Sequence, residues 1–187
     1  MIRKRLTDKE SRQTYINNWK SIKNDFFKLE TLQIYEDDEA LLEFKQGRFE
    51  EAKKIMRGFL ATDPAKPYEK IKKRNIKFRR VHIIELPLTI YMKLEIESYK
   101  ISIEFGEEIF FILKEQADRI NKSVKFQDFL MFDDSVVVTH NYNKAGEWQY
   151  SELIDDVDVI KNYVNLKEKL LSQALPMDQF LQKHVNK

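Results

Sequence analysis

The sequence contains no cysteine, which removes disulfide frameworks, thiolate zinc fingers, cysteine-ligated iron–sulfur clusters and cysteine nucleophiles together. Glycine is almost as scarce, with 4 in 187 residues. Loops that cradle phosphates need several backbone positions that only glycine adopts easily, and neither a Walker pattern nor a Rossmann fingerprint is present. No apolar stretch approaches the about 20 residues of a membrane span; the longest apolar-rich runs lie around Val81 to Leu88 and Phe126 to Phe132. The start, Met1 to Glu10, is basic, but no apolar segment follows it as in a secretory signal. The expectation is a soluble cytoplasmic protein with no membrane association.

What is present is a 22.5 kDa chain, 42% hydrophobic and 34% charged, enough for one buried core. Thr7 followed by Glu10 is a capping-box pattern, and Tyr15, Ile16, Trp19, Ile22, Phe26 and Leu29 recur at helical steps. This predicts an amphipathic helix over about residues 8–28, set apart from a single domain over 29–187. Shorter helices are expected over 38–45, ended by Gly47, over 48–60, and over 67–74 after two prolines, the last with Tyr68 and Ile71 inward.

At Lys77 the period changes. Phe78, Val81, Ile83 and Ile84 mark a strand, Pro87 opens a helix through Tyr91, Ile96 and Tyr99, and residues 101–105 read as helix or strand. A strand over 108–113 and a helical turn near 116–121 come next. Segments 129–142 and 147–154 then flank Asn143-Lys144-Ala145-Gly146, a hairpin signal. A helix from Asp156 and a short piece after Pro176 close the chain. Helices first, then a mostly antiparallel sheet with a crossing helix, then a carboxy-terminal helix define an α+β fold. No repeat or low-complexity tract interrupts it.

Net charge is +2, from 33 basic and 31 acidic residues, but the two signs are segregated. Lys66, Lys70, Lys72, Lys73, Arg74, Lys77, Arg79 and Arg80 are opposed only by Glu69, whereas Asp133, Asp134, Glu147, Glu152, Asp155, Asp156 and Asp158 face Lys144 alone. The strip from Lys70 to Arg80 could bind nucleic acid or an acidic partner; equally, it could pair internally with the acidic segments. For catalysis the inventory is three histidines and many carboxylates. By period two His82 shares a strand face with Arg80 and Ile84, and His140 ends the face Asp134, Val136, Val138. Convergence of His82 and His140 with Glu85, Asp133 or Asp134 would make a metal site suited to phosphodiester cleavage, but no ligand spacing supports it, so no metal and no cofactor is expected. His184 falls in the tail. One of the paired acids Asp133 and Asp134 reads as a cap for local N–H groups, with a pairing to Arg79 or Arg80 as the rival.

The run Arg79-Arg80-Val81-His82-Ile83-Ile84-Glu85-Leu86-Pro87-Leu88-Thr89-Ile90-Tyr91, with Glu95 and Tyr99, then Gly106-Glu107-Glu108-Ile109, Asp128-Phe129 and Phe132-Asp133-Asp134, resembles an uncharacterised, mainly actinobacterial family, a domain of unknown function often encoded beside helix-turn-helix regulators. Leu29-Glu30 with Tyr35 is similar to that family's opening and Ala174-Leu175-Pro176-Met177 to its ending, while the first helix stands outside it. The resemblance implies a regulator-associated cytoplasmic protein with no activity to transfer, and a shared core in which Arg80, His82, Glu85, Tyr91, Glu95, Asp134 and His140 form a conjectural polar site or, equally, a buried polar network that only fixes the fold. Two functions follow. The first is a non-catalytic binding or regulatory protein acting through a macromolecular partner, protein or nucleic acid. The second is a phosphodiester- or nucleotide-directed enzyme, such as a toxin-like effector using His and carboxylates.

Overall fold

The computed structural model describes residues 3–35, 39–62, 73–120 and 126–185, with 59–62 described for their backbone only. Among them the order is β1 (Arg3–Leu6), α1 (Asp8–Ser21), β2 (Asp25–Glu30), α2 (Glu39–Lys45), α3 (Phe49–Thr62), β3 (Lys77–Ile84), α4 (Ile90–Glu104), β4 (Glu108–Leu113), α5 (Lys114–Ile120), β5 (Phe129–Phe132), β6 (Val136–Tyr142), β7 (Trp148–Ile154), α6 (Val157–Gln173), β8 (Leu175–Pro176) and α7 (Met177–His184). The strands form one sheet in the order β1-β7-β6-β5-β2-β3-β4-β8. Its centre, β2-β3-β4, is parallel and the remaining pairings are antiparallel, so the fold is α+β with a mostly antiparallel sheet.

Period two divides the central strands cleanly. Phe26, Phe78 and Phe132 face one layer with Trp19 of α1, where Phe26 lies 4.7 Å from Trp19 and 5.0 Å from Phe132 between ring centroids. Helices α2, α3 and α4 cover the same face through Leu41, Met56 and Leu94. Phe27, Leu29, Val81 and Phe129 face the other layer, under α5 and the Ile160, Tyr163, Leu166 and Leu170 stripe of α6. A third cluster joins Tyr99 and Met92 of α4 to Phe111 of β4 and Phe180 of α7.

The first helix carries the expected capping box but stops at Ser21 instead of continuing to Lys28. Residues 25–30 form the central strand β2, so the sheet runs through the position where a separate domain was expected to begin. Trp19, Ile22, Phe26 and Leu29 imitate helical spacing, yet Phe26 and Leu29 are buried on opposite faces of a strand. The cause of the break lies far along the chain: the Asp133 carboxylate accepts the N–H groups of Lys23, Asn24 and Asp25 at 2.8, 2.7 and 3.0 Å. Asp133 therefore caps N–H groups, but those of a remote turn and not of its own. The expected long strand 129–142 is two, β5 and β6, turned at Asp133 and Asp134, both at positive φ. Residues 101–104 complete α4, and Thr89, not Pro87, caps its start. The helix expected over 67–74, with Tyr68 and Ile71, falls mostly outside the described residues. Among the described residues no helix is long and apolar enough to cross a membrane.

Asp133→Ala is expected to lower stability by about 2–4 kcal/mol, because several charge-assisted hydrogen bonds go at once. Asp133→Asn, which tolerates the same backbone region, should cost less. A shift of the urea midpoint at unchanged slope checks both.

Candidate functional site

The face that carries Phe26 and Phe78 at one end of β2 and β3 carries Lys28, Glu30, Arg80 and His82 at the other. Lys28 is partly exposed, but burying Glu30, Arg80 and His82 on one sheet face is costly unless each finds a partner, and here each does. Arg80, 5% exposed, donates from Nε to Glu107 Oε1 at 2.7 Å and from Nη1 to Glu30 Oε2 at 3.0 Å. Its guanidinium lies 4.8 Å over the Tyr99 ring. Lys28 Nζ meets Glu30 Oε1 at 2.5 Å, and Tyr99 Oη donates to Glu30 Oε2 at 2.5 Å. His82 is wholly buried, with Nδ1 2.7 Å from Tyr99 Oη and Nε2 2.7 Å from the Leu32 carbonyl. The carbonyl can only accept, so Nε2 holds a proton. Tyr99 then has one proton to share between Glu30 and Nδ1.

These contacts fix the charges. Burial would raise the Glu30 carboxyl, but Arg80 and Lys28 hold it well below the usual range. Burial also opposes charge on Arg80, and Glu107 and Glu30 more than restore it. His82 is pushed down by burial against the pull of Glu30. Glu95 of α4 is different. Burial and the Glu30 charge push its carboxyl up against Arg80, whose Nη1 is 3.8 Å away, while the Tyr91 hydroxyl donates to it at 3.1 Å.

Between this layer and α2, α3 and α4 lies a cleft of about 520 Å³. Lys28, Glu30, Arg80 and Glu95 form its polar floor, Ala40, Ile55, Met56 and Leu94 its apolar wall, and Tyr35, Tyr91 and Tyr142 its aromatic lip, with Glu39, Ser98 and Ser102 completing the lining. Arg80 Nη2 and the Tyr142 hydroxyl have no partner among the described residues. The lip is set by backbone: Gly146, at φ 85, brings the β6–β7 turn so close to Ile34 that a Cβ there would lie 2.5 Å from the Ile34 carbonyl oxygen. Tyr35 is tied down by its hydroxyl, which donates to Asp128; Thr31 adds bonds to the same carboxylate from its N–H at 2.9 Å and its hydroxyl at 2.6 Å.

The cleft sits toward the C-terminal ends of the parallel strands. From β2 the chain builds outward through β3 and β4, then returns to lay β5, β6 and β7 on the other side of β2. Such a reversal leaves a crevice at the strand ends, where open sheets bind ligands.

Of the residues expected to form a polar site, Arg80, His82, Tyr91 and Glu95 meet. His140 is at the margin, its ring 6.4 Å from Tyr142 and its Nδ1 2.8 Å from Ser151 Oγ. Glu85 and Asp134 do not belong. Glu85 is exposed beyond the end of β3, and Asp134 lies at the opposite end of the sheet, 2.6 Å from buried Lys167 Nζ. The supposed metal set of His82, His140, Glu85 and Asp133 or Asp134 is therefore not assembled, and among the described residues no three of His, Asp and Glu are arranged as ligands.

The basic strip is also broken. Arg79 forks onto Asp25 at 2.8 Å, Arg80 is buried, Arg74 reaches the Lys20 and Ile22 carbonyls at 3.5 Å, and Lys73 and Lys77 are exposed. Lys70 and Lys72 lie outside the described residues. Missed from residue patterns were Lys28, at the end of a supposed helix, Glu30, just beyond it, and Tyr142, whose only signal was its place beside the hairpin.

The same fold occurs in solved structures of low identity. The crystal structure of a phospholipase D family member, Nuc from Salmonella typhimurium, matches with TM-score 0.52 at 13% identity, over 94% of this chain and 95% of that one. NucT from Helicobacter pylori matches with TM-score 0.53 at 12% identity, over 94% and 99%. The class defined is thus an α+β domain of the fold seen in a phospholipase D family member. The chain itself belongs to the family described as a domain of unknown function (DUF6879), which matches residues 14–182. No curated protein matches it in sequence.

Two buried groups give the site a testable pH signature of opposed signs. Burial pushes Asp128 up to about 6, so its contribution is full below its unfolded value near 4 and is lost as pH rises through 6. Burial pushes His140 down to about 4, so its contribution is full above 6.5 and is lost as pH falls through 4. The two slopes nearly cancel between pH 4 and 6.5. Asp128→Asn should unmask a stability that rises with pH across this window, and His140→Gln one that falls, each by up to about 3 kcal/mol. Urea unfolding at several pH values measures both.

Proposed function

We propose that the protein is an enzyme directed at a phosphodiester or nucleotide, with the cleft as its active site. The observation that carries this reading is the position of a ligand-sized cleft at the switch point of a fold shared, over 94% of the chain, with a phospholipase D family member. The lining supports it. Lys28 Nζ and the open Nη2 of Arg80 offer cationic donors to a phosphoryl oxygen. Glu95, whose carboxyl is pushed up by burial and by Glu30, is the group suited to protonate the leaving oxygen. In hydrolysis, water would form the new P–O bond as the P–O bond to the leaving group breaks; Glu95 protonates that group and recovers its proton from the attacking water.

Charge balance selects among esters. Lys28 and Arg80 are offset by Glu30 and Glu107, so the floor is neutral while Glu95 keeps its proton. A diester monoanion adds one charge; a monoester dianion adds a second beside Glu30, and like charges 4 Å apart repel by about 4 kcal/mol at an effective dielectric of 20.

The chemistry differs from the toxin-like scheme in one respect. His82 has both ring nitrogens engaged in the interior and His140 bonds Ser151, so carboxylate and cation, not histidine, face the ester. The engagement of His82 and of His140 Nδ1 also favours a second reading, a non-catalytic binding or regulatory protein acting through a macromolecular partner, protein or nucleic acid.

Turnover of bis(p-nitrophenyl) phosphate is expected to exceed that of p-nitrophenyl phosphate at least tenfold in kcat/KM. Glu95→Gln should lower kcat about 100-fold, and the wild-type rate should fall as pH rises past the Glu95 value, since the acid must be protonated. Binding without any turnover would select the second reading.

A further inference from the structure

We propose that the ester taken by this cleft is a small one, a phosphodiester monoanion attached to a planar group as in a cyclic nucleotide, and not polymeric nucleic acid or a lipid in a bilayer. This rests on the phosphodiester-directed reading above.

Depth is the first argument. The floor and wall are recessed, with Glu30 4%, Arg80 5%, Leu94 3% and Ser102 2% exposed. A volume of about 520 Å³ lies within the range of sites that enclose drug-sized ligands, about 300–1,000 Å³. A polymer would have to lead its backbone down to that floor and out again.

Charge is the second. Proteins that track a nucleic-acid backbone line the path with lysine and arginine and neutralise several phosphates at once. Here the cationic lining is Lys28 and Arg80, both already engaged by Glu30, and the mouth carries Glu39. The exposed Lys77 stands at the start of β3, paired in register with Asp25 at the start of β2, at the opposite end of the sheet from Tyr35 and Tyr142. No described basic residue leads from that end into the cleft.

Shape is the third. Ala40, Ile55, Met56 and Leu94 form a continuous apolar wall opposite the charged floor, and Tyr35 lies between Tyr91 and Tyr142 with centroids 5.7 and 5.3 Å apart. A flat ring suits the wall and lip while its phosphate reaches Lys28, Arg80 Nη2 and the Tyr142 hydroxyl. A phospholipid would bring two acyl chains that the polar lip and Glu39 oppose.

The test is direct binding of 3′,5′-cyclic AMP by titration calorimetry, beside a single-stranded 20-mer oligonucleotide and phosphatidylglycerol vesicles, with cleavage of each followed by chromatography. The expected result is saturable cyclic-nucleotide binding that weakens at least tenfold in Met56→Trp, which fills the wall, and in Tyr142→Leu, which removes a donor. Each variant is first shown to be folded by circular dichroism. Cyclic-nucleotide binding untouched by both folded variants overturns the proposal. Binding or cleavage of the oligonucleotide or vesicles without the cyclic nucleotide also overturns it, while the phosphodiester reading survives. If none of the three is bound or cleaved, both readings fall.

Discussion

Arg80 stands on a central strand at 5% exposure, and a guanidinium so placed is tolerated only where its charge and hydrogen bonds are met within the protein. Glu30 comes from β2, Glu107 from the residue before β4, and the ring beneath the cation from Tyr99 of α4. One side chain thus ties three parallel strands and their covering helix into one geometry. Loss of any partner would leave an uncompensated buried charge, a cost on the order of 3–5 kcal/mol. A hydrophobic replacement of the whole set could be as stable. The network therefore explains the shape of this region better than it explains the stability of the fold.

The face it occupies has two ends with different physics. Around Trp19, Phe26, Phe78 and Phe132, aromatic rings interlock. Two residues further along β2 and β3, the same alternation brings Lys28, Glu30, Arg80 and His82 inward, and the helices above cannot close on a charged floor as they close on rings. Leu94 and Met56 stay apolar while Glu95, Ser98 and Ser102 turn polar, and a cleft remains between them. Its existence follows from where the strand pattern changes from aromatic to charged.

That change was only partly legible in the sequence. Period two correctly placed Arg80 and His82 on one face, because β3 is an unambiguous strand. The partner strand was not readable: Phe26 and Leu29 continue the helical spacing of α1, and the break that overrides it comes from Asp133, more than a hundred residues away. Glu30, Tyr35, Tyr99, Glu107 and Asp128 had no individual signal of chemistry. They appear, however, among the residues that carry the family resemblance, and the fold gathers them with Arg80, His82, Tyr91 and Glu95 around one cleft. Glu85 and Asp134, expected with them because the segments that carry the family resemblance were expected to pack together, are separated because a strand end and a turn point elsewhere. The basic strip misled for a related reason: a run of like charge says nothing about which members turn inward, and Arg79 and Arg80 both do.

Which groups the network leaves unspent is the informative remainder. Glu30, His82 and Asp128 are committed to partners that hold the layer together, and Glu107 is committed through Oε1 while its Oε2 is buried without a partner among the described residues, so their chemistry serves geometry. Burial and the Glu30 charge push the Glu95 carboxyl up, Arg80 keeps one nitrogen open because its other two are taken, and the Tyr142 hydroxyl has no partner among the described residues, on a lip where the Gly146 turn packs against Ile34. Open groups are not confined to the cleft, since among the described residues Trp19 Nε1 and Tyr163 Oη are buried without a hydrogen-bond partner and each forfeits a bond worth about 1 kcal/mol; what sets Arg80 and Tyr142 apart is that both line one cleft. Their convergence on one ligand-sized cavity, at the point where the sheet reverses its order, is the arrangement on which the proposed site rests.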